Sequence, residues 1–175
     1  MAAHDVEPGM ARWVLKEDPD HYAWADLVRE GGTEWNGVHN ALALRNLKAM
    51  RPGDQAIFYH SGSERAGVGI VEITSRPRAD PQDDRGSWLV EVRPLRPLRR
   101  PIPLAEVKTD PALADSDLAR LGRLSVVAIS DEQWTRFLAH ETSARRLESL
   151  PTVGGTGLGK AGARPARRLA ASRRR

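Results

Sequence analysis

The most informative stretch of the chain is TEWNGVHNALALRNLKAMRPGDQAIFYHS, residues 33–61. Apolar side chains recur every three residues over 40–50, which predicts a helix with one apolar face. The sequence RPGD, residues 51–54, has the composition of a turn, and the apolar run after it predicts a buried strand over 55–60. Polar and aromatic side chains therefore collect at the ends of these elements, where they can line a pocket.

The sequence on both sides of this stretch predicts short strands and short helices. Further strands are predicted over 12–15, 67–74, 87–95 and 124–129, and the third ends where Pro94, Pro97, Pro101 and Pro103 interrupt the chain. Helices are predicted over 20–29 and from Ser130, where Gln133 completes a capping box, with helical turns over 104–108 and 111–120. Long helices do not alternate with the strands, which argues against a parallel doubly wound sheet. We therefore predict an α+β fold, a small mixed β-barrel of about five strands with short inserted helices.

The charge of the chain is unevenly distributed. The formal net charge is +4, but residues 151–175 carry seven basic residues and no acid, so +4 minus +7 leaves −3 for residues 1–150. We predict a flexible leader over 1–9, one domain over 10–150, and a Gly-rich linker with a basic disordered tail over 151–175. The tail is expected to contact the phosphate backbone of a nucleic acid, or to act only as a solubilising end. Its basic residues are Lys160, Arg164, Arg167, Arg168, Arg173, Arg174 and Arg175.

Several classes of function lack the residues that they require. The chain has no cysteine, which excludes disulfides and thiolate chemistry and suits a cytoplasmic location, nucleoid-associated in a bacterium. The five histidines have no metal-binding spacing, and no GxSxG elbow is present. Ala161 follows the GxxxxGK sequence of 154–160, where a phosphate-binding loop has Ser or Thr. We expect no metal, no cofactor and no membrane partner, since no apolar run approaches the roughly 20 residues of a membrane span.

Three groups of residues can carry chemistry. Trp35 precedes a predicted turn at 36–37, where its ring can stack on a flat heterocycle or can cover the edge of the core. His39 and His60 flank the central stretch and can approach each other, although a histidine at a strand end more commonly makes a structural hydrogen bond. The sequence Lys-Glu-Asp at 16–18 is either a general acid–base group or a solvated strand end.

Three longer motifs follow one another along the chain: WVLKEDPDHYAWADL over 13–27, WNGVHN over 35–40 and FYHS over 58–61. Shorter matches are LKAM at 47–50, GD at 53–54, GVGIVE at 67–72, DP at 80–81, Trp88, PLAEVK at 103–108 and RLSV at 123–126. In order and spacing, these sequences resemble the EVE domain family, a group of PUA-like barrels, over residues 12–138. The corresponding family motifs are K-S-E-P after a first strand, W-D-G-V-R-N, and F-Y-H-S. The resemblance implies that the predicted barrel is PUA-like.

The resemblance also implies a pocket for a flipped or unpaired modified base, a modified cytosine or a related base, in DNA or RNA. Rings would stack on the base, and Asn, His, Ser and backbone groups would bind its edge. The residues that the resemblance assigns to base binding are Lys16, Trp35, Asn36, Gly37, Val38, His39, Asn40, Tyr59, His60, Ser61 and Arg123. The chain departs from the family pattern at Glu17, Asp18, His39, Ala41, Leu42, Leu44 and Arg78, which alters the expected lining of the pocket.

We therefore predict a non-catalytic, monomeric module that binds nucleic acid carrying a modified base. One alternative is a modified-nucleoside hydrolase of PUA-like type, in which Lys16 would act with the carboxylates of Glu17 and Asp18. The other alternative is a degenerate interaction module, in which Leu42 or Leu44 would fill the cavity.

Overall fold

The computed structural model describes residues 9–143. The predicted basic tail over 151–175 and all of the predicted leader except Gly9 lie outside these residues, as do residues 144–150 at the end of the predicted domain. None of the helices within residues 9–143 has both the length and the apolar character that crossing a bilayer requires.

Strands and short helices alternate irregularly along the described residues. In chain order they are β1 (Arg12–Glu17), α1 (Trp24–Glu30), β2 (Thr33–Trp35), α2 (Ala41–Ala49), β3 (Gln55–His60), β4 (Ala66–Ile73), β5 (Arg78–Ala79), β6 (Trp88–Pro103), α3 (Leu104–Thr109), α4 (Asp117–Arg120), β7 (Val126–Ile129) and α5 (Asp131–Ala139).

The strands form one mixed sheet that curls into a half-barrel. Within residues 9–143 its order is β2-β6-β4-β3-β1-β7, with β5 paired to β6 outside this path. β1 and β3 are parallel, and the other pairs are antiparallel. The predicted α+β class, with a small mixed barrel and short inserted helices, is confirmed. The predicted number of about five strands is too low, because the short strands β2 and β5 at the margins of the sheet carry no alternation that a sequence pattern can detect.

β6 is longer than the strand predicted over 87–95. It continues to Pro103 through all four prolines that were expected to end it. Beyond Val92 this strand pairs with β4 on one side only, so a proline whose nitrogen faces the open side removes no ladder hydrogen bond. The pairing of β4 with β6 also shifts register twice, which accommodates residues that cannot donate. The prediction was wrong because it took the prolines as breaks, without regard to whether the strand has a partner on the side that each nitrogen faces.

Two predicted helices are shorter in the structure. α1 begins at Trp24 rather than at residue 20, because Ala23 is extended and the Asp18 carbonyl first closes a turn onto Tyr22. The segment predicted as helical over 111–120 forms turns that lead into the four residues of α4. The capping box predicted at the start of α5 is confirmed, since the side chains of Ser130 and Gln133 each accept from the other's backbone N–H.

A contact between Trp35 and Phe58 shows how strongly the sheet curls. β2 and β3 are separated by β6 and β4, so three strand spacings would put them about 14 Å apart in a flat sheet. The centroids of the two rings are only 5.8 Å apart, in an edge-to-face arrangement. Trp35 is 2% exposed and belongs to the hydrophobic core. The expectation that its ring stands at the mouth of a loop is therefore wrong, and the alternative, a ring that covers the core, describes its position.

β4 contributes two glycines that face opposite sides of the sheet. A Cβ at Gly69 would lie 2.4 Å from the Trp24 ring, and a Cβ at Gly67 would lie 2.6 Å from the Phe137 ring. Residues two apart normally share a face, but the pairing of β3 with β4 shifts register between these glycines. The bulge therefore lets an aromatic ring approach the backbone of β4 from each side.

We expect Gly69→Ala to lower the free energy of unfolding by about 1–3 kcal/mol, because the added methyl overlaps the Trp24 ring within a packed core. Urea denaturation followed by tryptophan fluorescence measures the change. Gly122→Ala is the matched control, since no atom lies within 4 Å of a Cβ at that position. Equal stabilities of the two variants would contradict the assigned contact.

Candidate base-binding site

The ends of β1 and β3 bring predicted site residues together but direct them to two faces. These parallel strands pair Lys16 with Tyr59 and Glu17 with His60. Because side chains alternate along a strand, Lys16 and Tyr59 lie on one face of the sheet, and Glu17 and His60 lie on the other. Tyr59 and His60, which the family resemblance both assigns to base binding, therefore lie on different faces of the sheet.

Lys16 and Tyr59 interact directly on their face. Lys16 Nζ donates to the Leu121 carbonyl oxygen at 3.1 Å and lies 5.5 Å from the centroid of the Tyr59 ring. Burial lowers the pKa of Lys16 to about 8 and raises the pKa of Tyr59 to about 12, since each charged form loses water. An ammonium group has three N–H donors, so Lys16 retains donors for a further acceptor.

The division into two faces also bears on one pairing of the catalytic alternative. That alternative requires the amine of Lys16 to lie beside the carboxyl groups of Glu17 and Asp18. Lys16 instead points towards Tyr59 and Leu121, and Glu17 points to the opposite face of β1. The lysine–glutamate pair suggested by adjacent sequence positions is therefore not formed.

His60 is held by hydrogen bonds at both ring nitrogens. Nε2 accepts from the backbone N–H of Trp24 at 3.0 Å, and Nδ1 lies 2.6 Å from Glu64 Oε2. A neutral ring that accepts at Nε2 carries its proton on Nδ1, which then donates to the glutamate. The ring also packs edge-to-face on Phe58, with centroids 5.7 Å apart. His60 thus ties β3 to the start of α1, and its nitrogens are already engaged.

The loop after β2 contains a buried polar atom without a partner. Asn36 is 4% exposed, and its Oδ1 has no hydrogen-bond partner among the described residues. Gly37 adopts a positive φ of 71°, which turns the chain sharply after Asn36, and Val38 is buried. A buried acceptor without a partner costs about 1–3 kcal/mol. A ligand that donates to Asn36 would remove this cost.

The remaining predicted residues have different local roles. Asn40 is the N-cap of α2, and its side chain accepts from the backbone N–H groups of Leu42 and Ala43. Ser61 donates its backbone N–H to the Glu17 carbonyl oxygen at 2.8 Å. Arg123 is exposed in the loop before β7. The two leucines named for the degenerate alternative, Leu42 and Leu44, are partly buried against the core.

His39 is exposed and joins the loop after β2 to the loop before β6. Its Nε2 lies 2.6 Å from Arg85 Nη2 and 3.0 Å from Asp83 Oδ2. The Asp83 carboxylate also accepts from the Arg85 backbone N–H, which lowers the pKa of that carboxyl group. Sequence reasoning did not find Asp83 or Arg85, because their link to His39 spans distant positions of the chain.

Glu17 is the second feature that sequence reasoning underestimated, since it was considered only as a catalytic group. The residue is 8% exposed, and burial raises the pKa of its carboxyl group to about 7. Its Oε1 accepts from the Asp18 backbone N–H at 2.9 Å. The available signal was an acidic residue at a position where the family pattern has Ser.

Within residues 9–143, no cluster of three or more histidine or acidic side chains is arranged to hold a metal ion.

The curled mixed sheet, the short inserted helices and the polar groups at the ends of β1, β2 and β3 define a PUA-like half-barrel. Residues 11–140 match the family model described as EVE domain. The chain belongs to the EVE domain family.

Three relatives, two of them with solved structures, agree with this assignment. A protein from Rhodopseudomonas palustris, solved by NMR, is 37% identical with a TM-score of 0.70, over 74% of this chain and 91% of that one. Thymocyte nuclear protein 1 of Gallus gallus is 32% identical over 74% of this chain and 68% of its own length. The crystal structure of human THYN1 protein in complex with 5-methylcytosine-containing DNA has a TM-score of 0.68 at 26% identity, over 77% of this chain and 99% of that one.

We expect Glu17→Gln to stabilise the protein above neutral pH. The folded-state pKa of Glu17, about 7, exceeds the ordinary value of 4.5, so the native protein loses stability as the pH rises from about 4.5 to 7. The amide cannot ionise, and its Oε1 can still accept from Asp18. The variant should therefore be as much as about 3 kcal/mol more stable than the native protein at pH 8, and similar to it at pH 4.

Urea denaturation at pH 4 and pH 8 measures this difference. Glu132→Gln provides the control, because Glu132 is exposed and its substitution should change stability by less than about 0.5 kcal/mol at either pH. The same stability difference for Glu17→Gln at both pH values would show that burial of the charge is not its cause.

Proposed function

We propose that this chain is a non-catalytic nucleic-acid-binding module that reads a modified base, a modified cytosine or a related base, in DNA or RNA. The observation that carries the proposal is the structural likeness to human THYN1, whose crystal structure is a complex with 5-methylcytosine-containing DNA. The likeness extends over 77% of this chain and 99% of the human structure. The proposed location of action, the cytoplasm or the nucleoid of a bacterium, stays a prediction, as does a monomeric state.

In this proposal, the base is bound by the residues that the family resemblance suggested, with changed roles for some of them. Asn36 offers a buried acceptor that lacks a partner within residues 9–143, and Lys16 offers spare N–H donors beside Tyr59. Trp35 and His60 position the site but do not contact the base, since the ring of Trp35 is in the core and the ring of His60 has both nitrogens engaged. The other members of the proposed site are Gly37, Val38, His39, Asn40, Ser61 and Arg123.

The absence of catalysis in the proposal is supported by the geometry of β1. Lys16 and Glu17 lie on opposite faces, so they do not form the acid–base pair of the hydrolase alternative. Reading a base requires binding groups and rings but no nucleophile. The basic residues of 151–175 would add affinity that does not depend on sequence.

We expect Asn36→Leu to weaken binding of the modified base without weakening the fold. The substitution removes a buried acceptor that is unpaired within residues 9–143, so the free energy of unfolding should stay the same or rise by up to about 2 kcal/mol. Loss of one hydrogen bond to the base should reduce the affinity for the modified oligonucleotide about 2- to 10-fold. Fluorescence anisotropy with DNA and RNA oligonucleotides, each carrying cytosine or 5-methylcytosine, measures the affinities.

Asn46→Leu is the matched control for this variant. Asn46 Nδ2 donates to the Val126 carbonyl oxygen at 2.9 Å, so its loss should cost about 0.5–1.5 kcal/mol of stability and leave the affinity for the modified oligonucleotide intact. Equal affinity of the native protein for the modified and unmodified oligonucleotides would overturn the proposed function.

Removal of residues 151–175 should weaken binding to modified and unmodified oligonucleotides by the same factor. This segment carries seven basic residues, so the slope of log affinity against log salt concentration should become shallower by as much as about 6 for double-stranded DNA. Titrations between 50 and 200 mM salt, about the range over which phosphate contacts are strongly screened, test this. An unchanged slope would leave the segment the role of a solubilising end.

A further inference from the structure

The carboxyl group of Glu17 combines burial with one unused oxygen atom. Glu17 is 8% exposed, and its Oε1 accepts from the Asp18 backbone N–H at 2.9 Å. Oε2 has no hydrogen-bond partner among the described residues, and it is not sealed from solvent. The group lies at the end of β1, on the face that also carries His60 and Phe58. A polar atom that reaches solvent from a largely buried side chain, and that lacks a protein partner, can bind a ligand.

The Asp18 hydrogen bond determines which oxygen carries the proton when this group is neutral. Oε1 receives an N–H, so it must present a lone pair. A carbonyl oxygen is the better acceptor, so this bond favours the proton of the neutral acid on Oε2, which becomes a hydrogen-bond donor. Burial raises the pKa of the group to about 7, so the neutral form is well populated near neutral pH.

We propose that Glu17 determines which bases the site accepts, by donating a hydrogen bond from Oε2 of its neutral carboxyl group to an unprotonated ring nitrogen. This inference rests on the proposed base-reading function, with the base at the end of β1, where Lys16 approaches it from one face of the strand and Glu17 from the other. Cytosine presents such a nitrogen at N3, with its amino group beside it, whereas thymine and uracil carry a hydrogen at N3. A donor at Oε2 therefore matches a cytosine-type base and meets another donor on a thymine-type base. An ionised Glu17 would instead place negative charge against the lone pair of cytosine N3.

Other charged groups face Glu17 and must be separated from its effect. Asp18 is its neighbour in sequence, and His21 Nδ1 lies 3.8 Å from its Oε1. From β3, the facing group is His60, which is linked to Glu64. Both nitrogens of His60 are engaged, so His21 is the neighbouring group that most needs a control.

The test compares 5-methylcytosine with thymine at one position of the same single-stranded oligonucleotide. The two bases share the methyl group and the O2 atom but differ at N3 and at position 4. The native protein should prefer 5-methylcytosine at pH 6, and its affinity for that oligonucleotide should fall about 30-fold by pH 8.5, as the neutral fraction of Glu17 falls. Fluorescence anisotropy at both pH values measures the affinities.

Glu17→Gln separates this role from a structural one. Its amide nitrogen replaces the donor at Oε2 at every pH, and its Oε1 still accepts from Asp18. The variant should keep the preference for 5-methylcytosine at pH 8.5 and bind it more tightly there than the native protein does. Glu17→Ala should lose the preference at both pH values. In His21→Gln the affinity should still fall as the pH rises, and the distant Glu132→Gln should behave as the native protein does.

The possible outcomes distinguish this inference from the function on which it rests. A preference that does not change between pH 6 and pH 8.5 overturns the role of Glu17 and leaves the proposed function standing. A loss of preference in Glu17→Gln has the same consequence. No binding of either oligonucleotide at either pH overturns the proposed function and this inference together.

Discussion

The edge-to-face contact between Trp35 and Phe58 is the constraint on which the half-barrel depends. It joins strands that are three positions apart in the sheet, so it can form only when the sheet is curled. The same contact arranges the candidate site, because Trp35 leads directly into the loop that holds Asn36. Phe58 likewise precedes the residues at the end of β3. This pair of rings therefore links the packing of the core to the placement of the candidate site.

The buried ionisable groups on β1 oppose the stability that this core provides. The charged form of Glu17 is unfavourable above about pH 7, and the charged form of Lys16 is unfavourable below about pH 8. Both costs have their full value between these two pH values, near neutral pH. Apolar residues at these two positions would avoid them. Retention of such groups is typical of a binding site, where recognition is kept at the expense of stability.

The sequence predicts an element well where local signals agree. β3 was predicted with its observed boundaries, and α5 with its capping box, because apolar spacing and turn or cap residues pointed to the same structure. β2 and β5 were missed because both are too short to show a period of two. The extent of β6 was underestimated because the effect of a proline depends on whether the strand has a partner on that side.

Some features of the candidate site follow from neighbouring residues, and others depend on distant parts of the chain. The opposite orientation of Lys16 and Glu17 follows from strand alternation, but the first strand was predicted to end at residue 15, before both of them. The burial of Trp35 requires the curl of the whole sheet, and the fixed ring of His60 requires a backbone N–H from α1. Neither effect can be seen in a single segment of sequence.

The alternation along β1 has a consequence for how this family can change. The backbone of β1 separates the surroundings of Lys16 from those of Glu17, and the two side chains share no partner in the described structure. Substitutions at sites without shared partners tend to have independent effects. A lineage can therefore exchange Glu17 for the serine of the family pattern and leave the contacts of Lys16 unaltered. Ligand contacts on one face of β1 can therefore change in evolution while those on the other face stay the same.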